Sequence, residues 1–134
     1  MLNETVSLRL MDELEEKEEL LHGLFSTAAD TSSKEVFSAI AQLQLQRLTG
    51  GGLRILGEYI QDLRPDGCQQ LLLNRVKNSF IAYEQEMLIQ SILSYDDDVL
   101  NQKLLQVLRE NESWDRGAWS YTIRSALAEQ DLYL

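Results

Sequence analysis

The sequence predicts an all-α domain, an antiparallel four-helix bundle made of two helical hairpins. Apolar residues recur at three- and four-residue steps along most of the 134 positions, with no strand-like alternation between them. The single proline falls in Arg64–Pro65–Asp66–Gly67, a turn near the midpoint that separates a hairpin at 1–63 from a hairpin at 68–134. A shift of 68 positions lays one half over the other, bringing Leu20 and Leu21 onto Leu88 and Ile89, and Val36 and Phe37 onto Leu104 and Leu105. Identities are few, and amphipathic helices of equal length match readily, so duplication and coincidence are evenly balanced.

The first helix is expected over 2–29, with Ser7, Leu10, Met11, Leu14, Leu21, Phe25 and Ala28 on one stripe and Asn3 as its cap. Ser32 and Glu35 form a capping-box start for the second. Its apolar residues make two adjoining stripes, Val36, Ile40, Leu43 and Phe37, Ala41, Leu48, which continue onto the polar Gln44 and Arg47. Three glycines at 50–52 should break or loosen this helix; 53–63 then regains helical spacing, as a kinked continuation or as a separate short helix. A long helix is expected over 69–95 through Leu72, Val76, Phe80, Tyr83, Met87, Ile89 and Leu93. Asp96, Asp97 and Asp98 close it and suit the positive N-terminal end of the next helix, which extends to around residue 115. Gly117 is a weak point, beyond which Trp119, Ile123, Ala126 and Leu127 resume the spacing.

A chain of 134 residues suffices for one domain with a real core, 1–134. Its 22 acids against 12 Lys and Arg give a net charge of −10, which disfavours nucleic acid and anionic membrane and suits basic partners or divalent cations. No apolar run approaches a membrane span or a signal peptide, so a cytoplasmic location is expected. A single cysteine, Cys68, excludes an internal disulfide framework and a cysteine-based zinc site. With one histidine, His22, most acid–base and hydrolytic schemes have no actor; beside acids on a helix, it reads as a partly exposed ion-pair partner.

Candidate site residues come from polar positions on apolar stripes. Glu18 continues Leu14 toward Leu21 and Phe25, and Glu86 lies between Ala82 and Ile89. Glu112 and Asp115 continue Leu105 and Leu108, at the places that Gln44 and Arg47 hold in the first half. If the stripes are read one step, about 100°, out of register, all of these are surface residues instead.

One acid, then a second polar pair at i and i+3 about 26 residues later, given twice, resembles the ferritin-like carboxylate proteins, rubrerythrins in particular. The segments at 16–30 and 34–48 look like that family's first two helices, with Phe25 where the family often has Tyr. The resemblance implies metal positions at Glu18, Gln44, Arg47, Glu86, Glu112 and Asp115. It departs from the family where Glu-x-x-His is expected: Gln44 and Arg47 stand in one copy, Glu112 and Asp115 in the other. A guanidinium cannot coordinate and repels a cation. Four acids against Arg47 still leave negative charge that must reach solvent or meet a divalent ion, for which carboxylates alone favour hard cations.

The expected function is therefore a ferritin-like bundle with a degenerate metal site, a non-catalytic structural or protein-interaction module with no cofactor, working through a protein partner or self-association as an oligomer. The alternatives are a rubrerythrin-like oxidoreductase holding Mn, Fe or Mg, and a small acidic helical chaperone or adaptor that takes a partner helix.

Overall fold

The computed structural model describes the backbone of residues 4–31, 34–79, 82–110 and 119–134, and side chains over 16–29, 34–79, 83–110 and 120–134. These residues are all-helical, with no strand among them: α1 (Glu4–Thr31), α2 (Lys34–Leu45), α3 (Gly50–Leu63), α4 (Gln69–Asn78), α5 (Ala82–Leu93), α6 (Asp98–Glu110) and α7 (Trp119–Glu129). No helix among them is long and apolar enough to cross a membrane.

The break expected at the three glycines separates α2 from α3, and the chain reverses there. After Leu45 the amides of Arg47 and Leu48 both donate to the Gln44 carbonyl, closing α2 in a turn. Thr49 is extended, and Gly50 opens α3 at φ 55°, a conformation that costs little without a Cβ. The rings of Phe37 and Tyr59 then lie 6.4 Å apart, whereas a continuous helix would separate these positions by roughly 33 Å. The kinked-continuation alternative is thereby excluded: α2 and α3 are a hairpin.

The single helix expected over 69–95 is corrected: it is two helices, α4 and α5. Ser79 is extended at φ −90° and ψ 134°, ending α4. The far end of α5 returns to the start of α4, where the Tyr95 hydroxyl donates to the Pro65 carbonyl at 2.5 Å. A continuous helix would place those ends roughly 40 Å apart. The helices near residue 97 do meet as the sequence indicates, with Asp97 Oδ1 accepting from the Leu100 amide at 3.1 Å at the start of α6.

The midpoint turn forms as expected. Arg64 takes a left-handed φ of 47° and donates its amide to the Ile60 carbonyl, and Gly67 follows at φ 90°. Ser38 of α2 donates its hydroxyl to the Asp66 carbonyl, so the turn is held from α2 as well as from Tyr95.

The centre of the core is α5, which packs against α3, α4, α6 and α7. Leu88, Ile89 and Ile92 are fully buried, Glu84, Gln85 and Ser91 are buried with them, and Tyr83, Glu86, Met87 and Gln90 form a half-buried face. Gly57 lets α3 approach closely: a Cβ there would lie 3.2 Å from both Met87 Cε and Ser91 Oγ. On the other side of α3, Tyr59 packs on Phe25 and, edge-on, on His22 of α1. Each fully buried Leu, Ile or Phe contributes about 1.5–3 kcal/mol to this assembly.

Candidate functional site

Of the sequence-derived site residues, Glu18 and Glu86 are half-buried, Gln44 is half-buried, and Arg47 is exposed in the turn after α2. Glu112 and Asp115 lie outside the described residues. The reason Arg47 is outside is that α2 buries Phe37, Ala41 and Leu45 with Leu48 beyond them, not the neighbouring stripe. Val36 and Leu43 of that other stripe are 46% and 47% exposed, and Arg47 continues it into solvent.

Glu18 lies against the start of α3, its carboxylate in the space a side chain at Gly51 would need. Glu86 accepts from the Gln90 amide one turn along α5 at 2.5 Å. Burial pushes the Glu86 pKa above its ordinary 4.5, and that hydrogen bond opposes the shift. Among the described residues no three His, Cys, Asp or Glu side chains gather as a metal site requires. His22 is exposed and stacked edge-on to Tyr59, and its backbone carbonyl accepts from the Tyr59 hydroxyl at 3.4 Å.

The acid that enters the interior is Glu84, only 5% exposed. It accepts from the Gly50 amide at 3.0 Å and from the Ser79 hydroxyl at 3.3 Å, and Arg75 Nη2 stands 3.8 Å away. The same arginine donates through Nη1 to the carbonyls of Leu45 and Leu48, at 2.6 and 3.0 Å. Gln85 donates its amide to the Ser79 carbonyl at 2.7 Å. This group therefore ties the α2–α3 turn to the α4–α5 turn, and the backbone atoms it uses, the Gly50 amide and the Leu45, Leu48 and Ser79 carbonyls, lie at or just past helix ends. Glu84 and Glu86 are two residues apart, about 200° around the helix, so one faces these turns and the other looks away. Sequence reasoning did not single out Arg75 and Glu84. Their available signal was an arginine three residues after Leu72 on an apolar stripe.

A second buried polar group surrounds the midpoint turn. Cys68 is fully buried, which pushes its thiol up to about 11. Tyr95 is likewise raised, first by burial and then by the neighbouring Cys68 and Asp66 charges. Both groups stay protonated at neutral pH, so neither is set up as a nucleophile.

Besides a pocket of about 660 Å³ lined by Ala29, Phe37, Gln42 and Pro65, two further open surfaces stand out among the described residues. One is a groove of about 660 Å³ between α4 and α6, with Leu73 and Val107 in its lining and Asn74, Lys77, Gln102 and Lys103 among the polar residues around them. The other is the outside of α1 and α2, with Leu20 75% and Leu24 44% exposed on α1, and Val36 and Leu43 exposed on α2. Leu20, Leu24 and Val36 each immediately precede a residue that packs inward: Leu21, Phe25 and Phe37. No protein-family model, curated protein or solved structure matches this chain, and its function is read from these residues alone.

Proposed function

We propose that this chain is a non-catalytic, acidic helical module that works by binding another protein through the outer faces of α1 and α2. The observation that carries the reading is that four of the exposed large apolar side chains, Leu20, Leu24, Val36 and Leu43, lie on two helices that pack together. Leu20, Leu24 and Val36 each lie one helical step from a residue that packs inward, Leu43 lies across α2 from its buried stripe, and the core is complete without all four. The polar interior supports the same reading, since the hydrogen bonds of Arg75 and Glu84 are spent on closing helix turns.

The test is to exchange Leu20, Leu24, Val36 and Leu43 for serine. An outer docking face predicts an unfolding midpoint within a few degrees of wild type. A fall of 10 °C or more would make these residues part of the fold and remove the reading.

A second reading is descent from a ferritin-like four-helix carboxylate bundle whose metal site is degenerate. Its support is that Glu18 and Glu86 are both half-buried rather than fully solvated. The hairpins at α2–α3 and α4–α5 weigh against it. Metal analysis decides: stoichiometric Mn, Fe or Mg that raises the melting temperature would favour the rubrerythrin-like alternative over a non-catalytic module.

A further inference from the structure

We infer that the exposed face of α1 takes a basic amphipathic helix of a partner protein, seated on Leu20 and Leu24 with its backbone close to Gly23. This rests on the interaction reading above and specifies the partner's chemistry. Glu16, Leu20, Gly23 and Leu24 are exposed and follow one another at helical spacing, so they share one side of α1.

Gly23 is the informative member. A glycine inside a helix costs about 1 kcal/mol against alanine, and its usual justification is a close neighbour or a positive φ. Gly23 has neither: a Cβ built there meets nothing within 4 Å. Among the described residues nothing in the fold requires this glycine. A helix backbone approaching between Leu20 and Leu24 does, because a glycine lets it come closer than any side chain would.

Charge selects the occupant. The segment 12–19 of α1 reads DELEEKEE, six acids to one lysine, within a chain of net charge −10. Glu16 and Glu19 are exposed beside the leucines. A second copy would bring the same acids into opposition, whereas lysines or arginines flanking an apolar stripe would pair with them.

The probe is a synthetic helical peptide with leucines at i, i+3, i+4 and i+7 flanked by lysines; the control has glutamates in place of the lysines. Binding to the full chain is read by fluorescence anisotropy at low and moderate salt, beside sedimentation of the chain alone. The lysine peptide should bind and the glutamate peptide should not. Leu20→Ser with Leu24→Ser should weaken binding about tenfold or more. Gly23→Ala should raise the melting temperature yet weaken binding, a combination that a merely tolerated glycine would not produce.

The inference is overturned if the leucine substitutions leave affinity unchanged, which would mean charge attraction without a seat, or if Gly23→Ala stabilises the chain with no loss of affinity. A dimer that Leu24→Ser dissociates would overturn the basic partner while leaving the interaction reading in place. If neither peptide binds and the chain is monomeric, the basic helix falls, and the interaction reading is decided by the melting of the four-serine variant.

Discussion

Replacing Glu84 with alanine should destabilise the protein far more than the same change at Glu86, although the two stand two residues apart on α5. The Glu84 carboxylate is 5% exposed and accepts a charge-assisted hydrogen bond from the Gly50 amide at 3.0 Å, worth about 1.5–3 kcal/mol. The Ser79 hydroxyl at 3.3 Å adds about 0.5 kcal/mol. Arg75, at 3.8 Å and one-fifth exposed, adds up to about 1 kcal/mol after solvent screening. Arg75 keeps the Leu45 and Leu48 carbonyls when Glu84 is lost, so the full cost of an orphaned cation is not incurred. The expected loss is about 2–4 kcal/mol for Glu84→Ala, and about 1–2 kcal/mol for Glu84→Gln, whose amide oxygen still accepts from Gly50. Urea unfolding measures both, and amide exchange at residues 50–52 should quicken before global unfolding. A Glu84→Ala variant within about 1 kcal/mol of wild type, or one less destabilised than Glu86→Ala, would refute the assignment of Glu84 as the tie between the two turns.

Glu86→Gln should stabilise the protein at pH 7, since burial raises this carboxyl pKa and the fold resists its ionisation. The sign follows from linkage: both states are protonated below the unfolded pKa, and the penalty grows as pH rises through the folded value. The gain should therefore vanish below about pH 4, in urea titrations across pH 3.5–8. Gly67→Ala should cost about 1–2 kcal/mol, because φ 90° disfavours any side chain and a Cβ would press on the Gln42 amide; thermal unfolding checks it. Cys68 should resist iodoacetamide at pH 8 in the native protein and react promptly in urea, its thiol being buried and raised to about 11. Ready native-state labelling would place the turn open to solvent.

Helicity, the midpoint turn and the three-aspartate start of α6 were legible in the sequence because each depends on local chemistry. A 3.6-residue apolar period, a Pro-Asp-Gly triplet and carboxylates at a helix N-terminus act within a few residues of themselves. The face of α1 was legible for the same reason, and Leu21, Phe25 and Ala28 pack as the stripe predicts.

Tertiary structure decided where helices stop and which polar residues go in. Periodicity runs through residues 69–95 without signalling the extended Ser79, because helical spacing on both sides of a reversal looks the same as helical spacing through it. Once α4 and α5 fold together, α5 becomes the central helix and buries most of its sides, leaving an amphipathic reading only the half-buried face of Glu86 and Gln90 to find. The choice of Glu84 over Glu86 follows from that placement, since the open amide of Gly50 and the guanidinium of Arg75 come from segments 34 and 9 residues away in the chain. Composition and local pattern determined that this chain is helical and acidic. Only long-range packing, by bringing two helix turns to one carboxylate, determined which acid the interior keeps.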